Sequence, residues 1–264
     1  MIRPLVKKAF GWSLRWLPVQ TRDRLLTHLV ERCSDGAKFR LGFPTVGGLL
    51  AHLAPCFRPG TIVDIGAYVG EWSLRAGAIF HEARFVMIDG NPENETALQD
   101  ARRSLGNRAE YVIALLGPDT RDEVVFYQMA SGSSLLPEMT TVARRELSLP
   151  MRTLDTVCAD HVGDSPFLLK LDVQGFELEL LKGGPKTLER AEVVILETSV
   201  LPYNDGAPSF TDVVLFMEQS GFAVYDFCGQ FRRQTDQTLF QTDVVFVRHD
   251  SDLRARRAFW LNEP

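Results

Sequence analysis

Thr61-Ile62-Val63-Asp64-Ile65-Gly66-Ala67-Tyr68-Val69-Gly70-Glu71-Trp72-Ser73 is the stretch that decides how this chain folds. A short run rich in β-branched residues, 61–65, passes into a turn with glycines at 66 and 70, and a helical pattern then continues to Phe80. A strand that is apolar almost throughout is buried on both faces, as strands of helix-covered parallel sheets are. The same alternation repeats outward. Residues 84–88 form the next strand, closed by Asp89-Gly90-Asn91-Pro92 and followed by a helix to about Leu105. Strands follow at 110–116, 167–171 and 193–196. The expected architecture is α/β, a doubly wound and mostly parallel seven-stranded sheet. Residues 124–128 and 150–153 read as additional strands around a polar segment. Residues 221–227 and 244–247 read as a late pair that brings an antiparallel terminal strand into the sheet.

Composition narrows the class. The 264 residues are 45% hydrophobic and 24% charged, enough apolar material for a core, which excludes a mainly disordered chain. Twenty-nine Lys and Arg face 34 Asp and Glu, and a formal charge of −5 argues against a nucleic-acid partner. Cys33, Cys56, Cys158 and Cys228 lie far apart, with no zinc or redox spacing, and read as reduced thiols of a cytoplasmic protein. No apolar run approaches the roughly 20 residues of a spanning helix. The most apolar long stretch, 41–57, is broken by Pro44, Gly47, Gly48, His52 and Pro55.

The expected organisation is a helical N-terminal extension at 1–50, a main domain at 51–250 and a tail at 251–264. In the first 30 residues Arg3, Lys7, Lys8, Arg15, Arg22 and Arg24 meet a single acid, Asp23, among Leu5, Phe10, Trp12, Leu14, Trp16 and Leu17. Such a segment either packs on the main domain with its basic side solvated, or makes peripheral contact with the anionic inner membrane surface.

Ligands of open α/β sheets bind beyond the carboxyl ends of the strands. A dinucleotide turn wants G-x-G-x-x-G, and Ala67 and Tyr68 stand where its second glycine would be. A G-x-x-x-G turn preceded by an acid suits a ligand with an amino-acid end and no pyrophosphate, such as S-adenosylmethionine. Asp89, about twenty residues on, is placed to accept from ribose hydroxyls or to start a turn. The missing glycine, and the absence of Tyr-x-x-x-Lys, disfavour a nicotinamide-dependent oxidoreductase.

Three segments then carry a resemblance. VDIGAYVGEW (63–72), LLKLDVQGFELELLKGG (168–184) and VVILETS (193–199), in this order and spacing, resemble the FkbM-type S-adenosylmethionine-dependent methyltransferases. The likeness runs from about Thr61 to Phe227, and the D-V-Q-G-F-E core is its most specific part. One departure is Asp89-Gly90-Asn91-Pro92, where the family more often has Glu followed by Pro. The resemblance implies a Rossmann-like methyltransferase fold and a cofactor set of Asp64, Gly66, Ala67, Tyr68, Gly70, Glu71, Trp72, Asp89, Asn91 and Asp172. It favours O-methylation of a sugar, glycolipid or polyketide-like metabolite.

Methyl transfer to a hydroxyl needs an aligned acceptor and a group to take its proton. Asp172 ends one strand and Glu197 the next, so these are the catalytic candidates, Asp172 first. The same two acids would also be the ligands of a divalent cation, but hard cations want several oxygens and two are in view, so a metal is not favoured. Glu177 reads chiefly as an acid at a helix N-terminus. Lys170 either pairs with one of the acids or simply emerges at a strand end. His161 reads as a surface-loop residue. Ser131, Ser133 and Ser134 suit a loop over the acceptor, and Tyr203 and Asn204 a rim or an ordinary turn. The alternative to an enzyme is a cofactor-binding partner that no longer catalyses.

Overall fold

The computed structural model describes residues 45–255 except 130, 140–141, 160, 163–165 and 202. The basic segment 1–30, with its expected membrane contact, and the end of the tail lie outside the described residues. Thr45 starts helix α1 (Val46–Leu53), its side chain accepting the Gly48 amide at 3.1 Å. The helix buries Leu49, Leu50 and Leu53. The chain then alternates through β1 (Thr61–Ile65), α2 (Glu71–Gly77), β2 (Arg84–Asp89), α3 (Glu95–Leu105) and β3 (Ala109–Ile113). After β4 (Leu115–Gly117), β5 (Arg121–Gln128) and β6 (Arg145–Thr153), alternation resumes with α4 (Leu154–Cys158), β7 (Phe167–Leu171), α5 (Glu177–Lys182), α6 (Pro185–Arg190) and β8 (Ala191–Ser199). The last elements are α7 (Phe210–Gln219), β9 (Phe222–Arg232), β10 (Leu239–Arg248) and α8 (Asp252–Ala255).

The main sheet has seven strands in the order β3-β2-β1-β7-β8-β10-β9. Only β10 runs against its neighbours, pairing antiparallel with β8 and β9, as the late strand pair led one to expect. From β1 the chain steps outward to β2 and β3; from β7 it steps the other way to β8. The direction of winding therefore reverses between β1 and β7, where the loops diverge and leave a crevice. Register aligns Ile65 with both Ile88 and Leu171, so Asp64, Asp89 and Asp172 come to one rim. Strands β1 and β7 are buried at every residue. Burying each such Leu or Val contributes about 1.5–3 kcal/mol.

Two expectations need correction. The single strand at 110–116 is broken: Ala114 donates to the Asp89 carbonyl at 2.9 Å, and the chain then leaves the main sheet. Leu115–Gly117 pairs instead with β6 in a second sheet of order β4-β6-β5. An unbroken apolar run does not reveal that its backbone changes partner. The strands at 150–153, 124–128 and 221–227 are also longer than read, because their outer halves carry exposed polar residues, and that at 244–247 is longer because its first half includes Gln241, Thr242 and Asp243, polar residues that are buried or half-buried. Among the described residues, no helix is long and apolar enough to cross a membrane.

Candidate active site

The turn after β1 is shaped by the protein's own packing. Gly66 and Gly70 have φ of 72° and 77°. A Cβ on Gly66 would lie 1.8 Å from the Asp172 carbonyl oxygen, and one on Gly70 would lie 2.5 Å from Ala101 Cβ. The Gly66 and Ala67 amides both donate to the Ile88 carbonyl, at 2.9 and 3.1 Å. These glycines thus let the β1 and β7 loops meet and let α2 lie close on α3. Together the loops form the floor of a cleft.

Under that floor lies a buried ion cluster. Asp64, fully buried, accepts from Ser73 Oγ at 2.7 Å, and its other oxygen is 3.2 Å from Lys170 Nζ. Lys170 Nζ also lies 3.4 Å from Asp172 Oδ2 and 6.0 Å from the centre of the Trp72 ring. Burial alone would lower the lysine pKa, but Asp64, Asp172 and Asp243 more than offset it, so its pKa is raised and the ammonium stays charged. Of the two readings of Lys170, pairing with the acids is the one observed.

Asp89 ends β2 and is nearly buried. It accepts from Tyr68 N–H at 2.7 Å, Asn91 N–H at 2.8 Å and Asn94 Nδ2 at 3.0 Å. Burial raises its pKa, and the three donors offset part of that. A carboxylate has about four acceptor positions, so roughly one remains. Asn91 is spent on Glu93 N–H and Gln128 Nε2. Above these residues is a cleft of about 760 Å³, open to solvent and bounded by Gly66, Tyr68, Asp89, Asn94 and Asp172, with Leu115 and Phe126 as apolar wall.

A second cavity adjoins the first, and Ser131, Asp172 and Gln174 border both. Its remaining wall includes Glu197, Leu201, Tyr203, Phe231, Phe240 and Gln241. Gln174 Nε2 donates to Asp172 Oδ1 and to Glu197 Oε2, each at 2.7 Å, and the Tyr203 hydroxyl donates to Gln174 Oε1. Gln241 Nε2 donates to Glu197 Oε2 at 3.1 Å. Burial, and then the neighbouring charges of Asp172, Asp243 and Glu177, push the Glu197 pKa well above the usual carboxylate range. Asp243 faces Glu197 across the β8–β10 ladder. Its pKa is pushed up to about 7, by burial first and the Asp172 charge second, with Lys170 opposing.

Several expected residues stand elsewhere. Of the cofactor set, Gly66, Tyr68, Asp89 and Asp172 line the first cleft. Asp64, Ala67, Gly70 and Asn91 are buried behind it. Glu71 pairs with Arg75 on an exposed face, and Trp72 lies beside Lys170. Glu177, buried, accepts the Val173 and Gly175 amides at 3.0 and 3.1 Å and so ties down the loop before α5. His161 Nδ1 sits 3.0 Å from Glu110, near the opposite ends of the strands. Asn204, read as a rim residue, is buried and donates to the Gln174 carbonyl at 2.5 Å. Ser134 Oγ donates to the same carbonyl at 3.0 Å. Asp243 and Gln241 were missed, because β10 runs backwards and brings its N-terminal half to the rim where the other strands end. The signal was an acid leading a β-branched run, Asp243-Val244-Val245. Among the described residues, no group of three or more His, Cys, Asp or Glu is arranged to hold a metal ion.

Among solved structures, the chain is similar to magnesium protoporphyrin IX methyltransferase from Synechocystis PCC 6803 with bound SAM. Identity is 14% over 93% of this chain and 96% of that one, with a TM-score of 0.45. TrmK from M. capricolum in complex with S-adenosyl-homocysteine is 9% identical, over 76% and 68% of the two chains, with a TM-score of 0.46. Precorrin-6y C5,15-methyltransferase from Geobacter metallireducens GS-15 is 13% identical over 77% and 87%, with a TM-score of 0.44. No curated protein matches the sequence significantly. The sequence matches the methyltransferase FkbM domain over residues 64–224. That span starts at the buried Asp64, takes in both loops of the cleft as well as Asp172 and Glu197, and covers more than half of the chain, so this protein belongs to the FkbM methyltransferase family.

Proposed function

We propose that the protein transfers a methyl group from S-adenosylmethionine to a hydroxyl of a sugar, glycolipid or polyketide-like acceptor, with Asp172 and Glu197 handling the acceptor proton. The observation that carries this reading is the meeting of two cavities at Asp172 and Gln174. One cavity suits the cofactor and the other the acceptor. The residues of the first fit S-adenosylmethionine: Asp89 keeps about one acceptor position for a ribose hydroxyl, and Leu115 and Phe126 offer a face to an aromatic base. When bound, the cofactor supplies an electrophilic methyl on a sulfonium with a neutral thioether as leaving group.

The chain's own residues do the rest. Asp172 touches both cavities, so it can orient the acceptor hydroxyl and take its proton at Oδ1 or Oδ2. Glu197 borders the acceptor side, and its raised pKa makes its ionised form a stronger proton acceptor than an ordinary carboxylate. The acids also argue for oxygen over nitrogen. Asp172, Glu197 and Asp243 would stabilise an ammonium, and a protonated amine has no lone pair to offer. A hydroxyl always has one. At the mouth, Leu201 and Phe231 are 37% and 51% exposed, which supports an acceptor with an apolar or ring portion. Among the described cysteines, Cys56, Cys158 and Cys228 are free thiols, which supports a reducing cytoplasmic setting. The basic segment 1–30 would then bring the enzyme to lipid-linked acceptors at the inner membrane surface.

The test is methyl transfer across matched hydroxyl and amine acceptors, together with Asp172→Asn. The hydroxyl compounds should be methylated, and D172N should lose about 10²–10⁴ in kcat, with S-adenosylhomocysteine affinity within about twofold. Undiminished turnover by D172N would remove the role given to Asp172, and transfer confined to amines would remove the hydroxyl reading.

A further inference from the structure

We propose that Gln174 is a positioning residue that bridges Asp172 and Glu197 and holds both in register with the acceptor, an inference that rests on the methyl-transfer reading of this site. Its amide nitrogen has two hydrogens, and both are spent: one on Asp172 Oδ1 and one on Glu197 Oε2, at 2.7 Å each. The amide oxygen accepts from Tyr203, a donor that fixes which way the amide faces. Flipped, it would set a carbonyl oxygen against two carboxylates.

The backbone is arranged for this one side chain. Gln174 has φ of 58°, a left-handed conformation in which long side chains are uncommon. Its carbonyl is gripped by Ser134 Oγ and Asn204 Nδ2, from two different loops. Strain of this kind persists where the surroundings over-determine it, and it concentrates at functional sites. The side chain also stands where the two cavities meet.

Two neighbouring carboxylates tend to share one proton, which would leave a single, weakened base. The donor from Gln174 favours the ionised form of Glu197 and ties it through one amide nitrogen to Asp172. The groups facing Glu197 are Asp172 from the end of β7, Gln174 from the following loop, Glu177 from α5, Tyr203 from the loop after β8, and Asp243 and Gln241 from β10, while Lys170 acts on Asp172 and Asp243. Gln174 and Gln241 are the two that donate amide hydrogens to the Glu197 carboxyl.

Gln174→Asn tests this, because asparagine tolerates the left-handed backbone but is one methylene too short to span both acids. Gln174→Met keeps the volume without the donors, and Tyr203→Phe frees the amide to turn. In both Gln174 variants kcat should fall about tenfold at pH 7, with the ascending limb of the pH profile moving upward by about one unit. S-adenosylhomocysteine affinity should stay within about twofold. Y203F should change in the same direction by less. A loss uniform across pH, or an unmoved limb, would overturn the proposal. The second readout needs no acceptor: a carbon-13 NMR titration of the Glu197 carboxyl, assigned with E197Q, should move to higher pH in Q174N. An unchanged titration would overturn it as well. A wild-type enzyme that methylates no hydroxyl while this titration still moves would sink the O-methyl reading alone.

Discussion

Asp243 shows how much a single charge placed behind the site can set. It stands opposite Glu197 in the ladder and its charge helps raise the Glu197 pKa. Gly229, with φ of 57°, lies against it so closely that a Cβ there would be 2.2 Å from Asp243 Oδ2. Replacing Asp243 with Asn removes a nearby negative charge, so Glu197 should lose its proton more readily. The ascending limb of kcat/KM should then move to lower pH by about one unit, opposite to the effect expected at Gln174. A limb that stays in place, or moves up, would show that Asp243 does not tune Glu197. The sequence made Asp172 and Glu197 visible because each closes an apolar run at the carboxyl end of a parallel strand. Asp243 lies early in a reversed strand, and its neighbours become known only once the strands are ordered. Gln174 stood inside the most specific motif, yet residue type alone does not tell an amide that bridges two acids from one that faces water.

At the scale of elements, glycines set how near the helices and loops approach one another. Gly70 heads α2 in a left-handed conformation, with Ala101 of α3 directly across. Gly70→Ala should destabilise by about 2–5 kcal/mol, from left-handed strain of about 1–2 and overpacking of about 1–3. Chemical or thermal unfolding would measure it, as a drop in Tm of about 4–20 °C. Adding Ala101→Gly should restore the steric share while costing about 1 kcal/mol of helix propensity, so the two changes should be non-additive. Strict additivity would mean that strain at Gly70 alone carries the cost. Within the protein, the nearest obstacles to a Cβ at Gly66 and Gly70 are Asp172 and Ala101. Spacing reveals that a backbone must pass close to something, and leaves open what that is. The parallel core was legible for a simpler reason: strands such as β7, Phe167-Leu168-Leu169-Lys170-Leu171, are buried at every position, so their apolar runs mark their bounds. Where a strand is half exposed, as in β5, β6 and β9, its outer half looks like loop. Where an apolar run spans two sheets, as at Ala114, it looks like one strand.

Across the whole molecule, the assembled acids make stability depend on pH in a definite direction. Burial raises the pKa values of Asp89, Glu177, Glu197 and Asp243, with Glu177 and Asp243 each at about 7. Between roughly pH 4 and 7 the folded protein therefore holds protons that the unfolded chain has released, and stability falls as pH rises through that window. Lys170 contributes stability that is present throughout this range and is lost only above its unfolded pKa of about 10.4. Asp119, Asp212, Asp236 and Asp250 act in the opposite sense, since hydrogen bonds and arginine neighbours lower their pKa values, but all four are at the surface where solvent screens them. The formal charge of −5 adds self-repulsion in the same direction as the buried acids. Tm should consequently fall between pH 5 and pH 8 in the free protein. Glu177→Gln isolates one share of this effect, because glutamine keeps an acceptor oxygen for the Val173 and Gly175 amides and carries no charge to bury. Ionising a carboxyl raised from 4.5 to about 7 costs on the order of 3 kcal/mol. Relative to wild type, E177Q should therefore gain stability from pH 5 to pH 8. A difference independent of pH would mean that Glu177 titrates like an exposed acid and that the loop before α5 is not closed over it in solution.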